Sequence, residues 1–244
     1  MKASPEDQAR LLDLQALDTK LAQLTHREKN LPEAATIAEL GKQADAVRVT
    51  LAGRQGELED ARIELKRVES DVATVRARID RDSERLQGSS SVKDVAALEQ
   101  ELTALRRRLD DLEDIQLSVM ERVEEHEAAA AQTDAELGGL AARILESEEA
   151  RDRALAAIAA ERKDAATDRG TIADGLPSDL VELYERQRTR YGTGASLLRG
   201  GVSLASGVAL NRDELQKVRS AAPDDVLICP SSDAILVRTD ESGL

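Results

Sequence analysis

The stretch QGSSSVKD, residues Gln87 to Asp94, interrupts an otherwise long run of helix-forming sequence, and its reading decides the fold. Gly88 and the serines stop one helix, and Ser91 with Asp94 three positions on caps the next. On the amino-terminal side, apolar residues keep to one heptad seam from Ile37 to Leu86, where only Arg54 and Asp82 have the wrong chemistry. Beyond the break a second seam starts at Val95 and runs through Leu98, Leu102, Leu105, Leu109 and Leu112 as far as Ile158. A heptad pattern held that long specifies a left-handed coiled coil rather than a globular surface helix. Two such seams joined by a few residues favour an antiparallel hairpin. At ~1.5 Å per residue, about fifty paired residues make an arm on the order of 75 Å long. A parallel dimer of unbroken helices is the alternative, and the GSSS break argues against it.

Upstream, Ser4-Pro5-Glu6-Asp7 places a capping hydroxyl, a proline at the first helical position and acids in the first turn. Leu14, Leu17, Leu21 and Leu24 then repeat at spacings of three and four until Asn30-Leu31-Pro32, where a break or sharp kink is expected. The later part of the second long helix would pack on this short first one.

Composition agrees with packed helices. The chain of 244 residues has no Trp, no Phe and two Tyr, and 34% of it is charged. Net charge is −14, split at Gly170 into −11 before and −3 after, so nucleic acid and anionic membranes are repelled except at a local basic patch. One cysteine excludes an intramolecular disulfide. The segment MKASPEDQAR has no apolar signal region and no stretch approaches a membrane span, so a cytoplasmic protein without membrane association is expected.

From Asp168 the heptad pattern stops. DRGTIADGLPSD reads as a linker, Pro177-Ser178-Asp179 opens a short helix, and Gly192, Gly194, Gly200 and Gly201 mark an irregular stretch. A small module follows: an apolar strand (GVSLASGVAL), a helix capped by Asn211 and Glu214, and a hairpin (VLICPSSDAILVRT). So small a module without aromatics barely folds alone, and domains of that size often lean on zinc held by two Cys-x-x-Cys knuckles. Here the spacing is present without the chemistry. Ser203 and Ser206 form one pair, and Cys229 and Ser232 the other. Serine hydroxyls are poor zinc ligands, so no metal is expected. Packing of apolar residues such as Leu204, Val208, Leu210, Val218, Ile228 and Ile235 must hold the module instead.

These stretches resemble a known family, the bacterial proteins with a coiled-coil hairpin and a C4-type zinc ribbon, especially its actinobacterial members. LLDLQALDTKLAQLTHR, GSSSVKDVAALEQEL, LPSDLVELYERQR, LLRGGVSLASGVALNRDEL and VLICPSSDAILVRT carry the likeness over nearly the whole chain. The resemblance maps Ser203, Ser206, Cys229 and Ser232 onto the four ligand cysteines, so this ribbon is degenerate at three. The expected fold is mainly α: a kinked antiparallel coiled-coil hairpin over residues 1–170, a linker and short helix over 171–195, and a small β-rich, zinc-ribbon-like module with one short helix over 196–244. The resemblance also implies a link to transcription, since some relatives are implicated in binding sigma-class factors, flagellar or secretion components, or RNA.

Nothing points to catalysis. His26 and His126 lie on separate helices, and GVSLASG lacks the Lys of a phosphate loop. A long two-helix arm offers edge surface for another helix rather than a substrate pocket. A non-catalytic adaptor, monomer or weak homodimer, that binds a protein partner is therefore expected, with Ser89, Ser90, Ser91, Lys93 and Asp94 at the hairpin turn as contact residues. The alternative is RNA or DNA binding through Arg186, Arg188, Arg190 and Arg199, interleaved with Tyr184 and Tyr191 as stacking rings.

Overall fold

Ser4 starts the first helix as its sequence requires. Its Oγ accepts from Asp7 N at 3.0 Å, and Pro5 takes the first position of α1 (Pro5–Lys29). The computed structural model describes residues 1–244. The chain breaks at Asn30 and Leu31, and α2 (Pro32–Gly88) and α3 (Val92–Asp174) follow. Two units result, Glu33–Glu149 and a second made of Met1–Pro32 with Ala150–Leu244.

In the first of these units α2 and α3 run antiparallel. Arg62 pairs with Glu127 at 2.6 Å and Arg76 with Glu113 at 2.6 Å, while Arg78 reaches Glu101, so partners on α3 move backward as α2 advances. Between them the two seams meet in layers, Leu40 and Ala44 on Leu140, then Val68 and Val72 on Leu112. The two polar seam residues turn inward all the same. Arg54 donates to Ala129 O at 2.6 Å and to Thr133 Oγ1. Asp82 is buried between Arg78 and Arg85.

In the other unit, α1 lies along the last turns of α3, with Arg162 on Glu28 at 2.6 Å and Arg169 on Asp18 at 2.7 Å. The helix does not end near residue 168 as its lost periodicity suggests. It continues to Asp174 because Ile172 and Ala173 pack onto the Leu11, Leu14 and Leu180 core. Leu180 and Tyr184 belong to α4 (Ser178–Tyr191).

The terminal module is a five-stranded sheet, ordered β3-β2-β1-β5-β4, with the helix α5 (Arg212–Ser220). Its strands are β1 (Ala195–Arg199), β2 (Val202–Ser203), β3 (Val208–Ala209), β4 (Leu227–Ile228) and β5 (Ile235–Val237). Two expectations are corrected here. GVSLASGVAL is not one strand but a hairpin, β2 and β3, turned by Gly207 at φ 67°. The supposedly irregular ASLLR is the central strand, parallel to β5 on one side and antiparallel to β2 on the other.

The expected packing set changes too. Leu204, Val208 and Ile228 are exposed. The module's core is instead Leu198, Leu210, Val218, Cys229 and Leu236. Ile235 and Val237 face the other way and join Leu11, Leu14, Leu180 and Tyr184. The sheet is thus one wall of a larger core, which removes the need to fold alone. Lys2 and Ala3 pin the start of the chain to it, through Ala3 N on Asp224 O at 2.9 Å and Lys2 on Asp224 at 2.9 Å.

Candidate functional site

Three places were singled out by sequence, and each is built differently. In the two knuckle turns, Ser203 and Cys229 are fully buried. Cys229 N donates to Ala234 O at 2.8 Å and Asp233 N to Cys229 O at 2.9 Å, closing the tight turn in which Asp233 takes φ 55°. Burial pushes the Cys229 thiol up, but the hydroxyls of Ser203 and Ser232 and the amides of Ser231 and Ser232 face the sulfur and leave it below its ordinary value. Ser203 and Ser232 thus lie near the sulfur, although the buried Ser232 Oγ makes no hydrogen bond of good geometry. Ser206 turns to its own loop, where its Oγ accepts from Val208 N at 3.2 Å.

The donor chemistry of this set does not fit zinc. It offers one thiol and three hydroxyls, and the Ser203 hydroxyl is engaged with Ser196 Oγ at 3.1 Å. Ser196 in turn accepts from Ala205 N at 2.8 Å, tying the knuckle to β1. The sequence reading missed Ser196, because nothing in ASLLR marks it as a neighbour of a turn seven residues on. No group of three or more His, Cys, Asp or Glu side chains elsewhere could hold a metal.

The arginine cluster is not a single surface. Tyr184, expected as a stacking ring, is corrected: it has no exposed surface, and its hydroxyl donates to Asp18 Oδ2 at 2.7 Å. Arg188 is held by Glu185 at 2.8 Å and lies 3.5 Å from Asp18. Arg169, unmarked by any sequence pattern, bridges Asp18 and Glu185. Burial alone would raise both carboxyls, but hydrogen bonds from Arg169, joined by Tyr184 at Asp18 and Arg188 at Glu185, hold them below their ordinary values. Burial, then the bond to Asp18, drives the Tyr184 phenol far up. This is a structural lock among α1, α3 and α4. Arg199 pairs with Glu241 at 2.9 Å, and Arg190 stands 5.2 Å over the ring of Tyr191. Arg186 is exposed.

At the hairpin turn, Asp94 N reaches Ser91 Oγ at 3.4 Å and Val95 N reaches Ser91 O at 3.0 Å, so Ser91 starts α3 as expected. Ser90, Ser91, Lys93 and Asp94 are exposed and Ser89 is half-buried. Between them Val92, absent from the sequence-based set, is 87% exposed. Beside it a shallow groove is lined by Arg85, Gly88, Ser89, Asp94, Leu98 and Glu101.

No helix is long and apolar enough to cross a membrane. An uncharacterised protein of Mycobacterium tuberculosis is 36% identical over 98% of both chains, and one of Mycobacterium leprae is 27% identical over 90% of this chain and 95% of its own. Among solved structures, a Mycobacterium smegmatis protein superposes with a TM-score of 0.81 at 37% identity, covering 98% of this chain and all of the other. CT398 from Chlamydia trachomatis shares the fold, with a TM-score of 0.59 at 18% identity over 96% of this chain and 98% of its own. The model of the CT398-like coiled coil hairpin domain matches residues 14–192, and the chain belongs to that family.

Proposed function

We propose that this protein is a non-catalytic adaptor whose helical hairpin docks a protein partner at its turn, with a ribbon-like terminal module that needs no zinc. The observation that carries the docking is Val92. A β-branched apolar side chain 87% exposed at a helix start adds nothing to folding, while beside a polar groove it supplies an anchor for a partner. Ser90, Lys93 and Asp94 around it form a polar rim. The pairing of α2 with α3 keeps the turn rigid, so little ordering opposes binding. A link to transcription follows only from family likeness and belongs to the same proposal.

The test is proximity crosslinking in the native cell with the full chain, compared with Val92→Asp and with Leu117→Asp on the exposed side of α3. Loss of a defined partner in Val92→Asp alone supports the reading. A partner set unchanged by Val92→Asp overturns it.

A further inference from the structure

The outer face of α2, turned away from α3, carries a second seam. Val49, Ala52, Gly56, Glu59, Ile63, Lys66, Ser70, Ala73 and Ala77 follow one another at spacings of three and four, on the side opposite the residues that bury against α3. All are exposed, and the two large ones are strongly so, Val49 at 74% and Ile63 at 59%. A Cβ added at Gly53 or Gly56 would meet nothing within 4 Å. Glycine within a helix costs about 1 kcal/mol relative to alanine, and nothing inside the chain uses the space it leaves.

We propose that this face is the seam of an antiparallel, two-fold dimer between two copies of the chain, with Ile63 at the axis. The charge pattern on this face sets the register. Turning a second α2 end for end about Ile63 sets Val49 against the partner's Ala77 and Gly56 against the partner's Ser70. On the two flanks of the seam it also brings Asp60 beside the partner's Arg67 and Glu59 beside the partner's Lys66, and at the seam itself it sets Asp45 against the partner's Arg81. Within one chain, the side chains of Glu59, Asp60, Lys66, Arg67 and Arg81 have no ion-pair or hydrogen-bond partner. Apart from Asp45, which already holds Arg48, the charged residues this register pairs are ones left unpaired in the single chain.

Two like-charge meetings remain, and neither opposes the match. Arg48 would approach the partner's Arg78, but Asp45 holds the first at 2.6 Å and Glu101 holds the second. Glu57 and Glu69 point away from the seam, Glu57 lying 3.7 Å from His126 on α3. The pairing is isologous, so it closes at two copies and leaves no open end. From Val49 to Ala77 it spans on the order of 40 Å. A contact of small residues and exposed ion pairs is expected to be modest, with Kd between about 1 and 100 µM. The seam does not involve the turn at Val92, so this inference stands apart from the docking proposed above.

Sedimentation equilibrium on the full chain at low salt tests it. The expected result is reversible exchange between 26.4 kDa and twice that mass, weakened several-fold by about 0.5 M salt. Asp60→Lys and Arg67→Asp should each weaken the dimer roughly tenfold, and the two together should restore it. Ile63→Arg should leave the helical circular dichroism intact and the chain monomeric, and Ile63→Cys should form a disulfide-linked dimer under mild oxidation. A chain monomeric at its highest soluble concentration overturns the proposal. So does a dimer indifferent to Ile63→Arg and to the charge exchange.

Discussion

Gly194 backs directly onto the ring of Tyr184: a methyl group built on its Cα would stand 2.8 Å from Cζ of the phenol and closer still to the ring edge. Tyr184 cannot yield, because its ring is fully buried and its hydroxyl is bonded to Asp18. On the other side, Gly194 N donates to Gln15 Oε1 at 2.7 Å and Gly194 O accepts from Ile235 N at 2.9 Å, which fixes the backbone between α1 and β5. Gly194→Ala should therefore destabilise the chain by about 1–3 kcal/mol, the range for overpacking a core. Urea unfolding followed by circular dichroism gives the value, and an unchanged midpoint would show that the approach is not tight.

Asp18 makes the next prediction, in pH. Asp18 and Glu185 both titrate below their ordinary values in the fold. Their contribution is complete above the unfolded carboxylate range, roughly pH 4, and is lost as pH falls through the lower folded values. Asp18→Asn should reduce stability at neutral pH by about 1–3 kcal/mol, the range for a hydrogen bond to a charged group. It should also flatten the acid-unfolding curve below roughly pH 4, because one of the shifted carboxyls is gone. An equal loss at every pH would assign Asp18 a packing role only.

How far the sequence could be read follows from the range of each interaction. The hairpin, its turn and the kink at Leu31 were legible because each is set by residues close in the chain: a heptad, a serine cap, a proline. Arg54 and Asp82 were visible as exceptions to the seam, but not as inward-facing groups, since their surroundings come from across the hairpin. The central strand β1 was illegible for a similar reason. Five residues between pairs of glycines carry no period, and they become a strand only because Ile235 to Val237, some forty residues later, lie alongside. In the same way Tyr184 read as a surface ring until Asp18 and Gln15, from the other end of the chain, closed over its hydroxyl. The paired x-x spacing coincides with two turns of the terminal module, yet it left Leu204 and Val208 in the core, whereas both are exposed around the turn at Gly207.

The knuckles themselves yield a prediction about metal. Protein purified without added zinc should contain well under one zinc per chain by elemental analysis, since hydroxyls do not replace thiolates around this ion. Changing Ser203, Ser206 and Ser232 together to Cys should give a variant that binds one zinc and melts higher with it than after chelation. Ser203 and Ser232 already face Cys229, so only the fourth position has to turn inward. One tightly held zinc in the unaltered chain would contradict the first half of this prediction. A triple variant that folds but ignores zinc would contradict the second.

Asp82 tests how much the arm's register depends on polar groups inside the seam. Its carboxylate is buried, one oxygen lies 3.3 Å from Arg85, and the other finds no hydrogen bond, with Arg78 at 3.7 Å. Both arginines reach it from exposed positions and can turn to water when it is removed. Desolvating that carboxylate costs more than two long contacts return, so Asp82→Leu should stabilise the arm by about 1 kcal/mol, as replacing buried charge by packed apolar groups often does. Arg54 should respond with the opposite sign. Its guanidinium is well bonded to Ala129 O and Thr133 Oγ1, so Arg54→Ala loses those bonds and the packing of its stem, about 1–2 kcal/mol. Thermal unfolding of the two variants measured together decides the matter. If Asp82→Leu also lowers the melting temperature, the carboxylate is an organising contact of the arm rather than a tolerated burial.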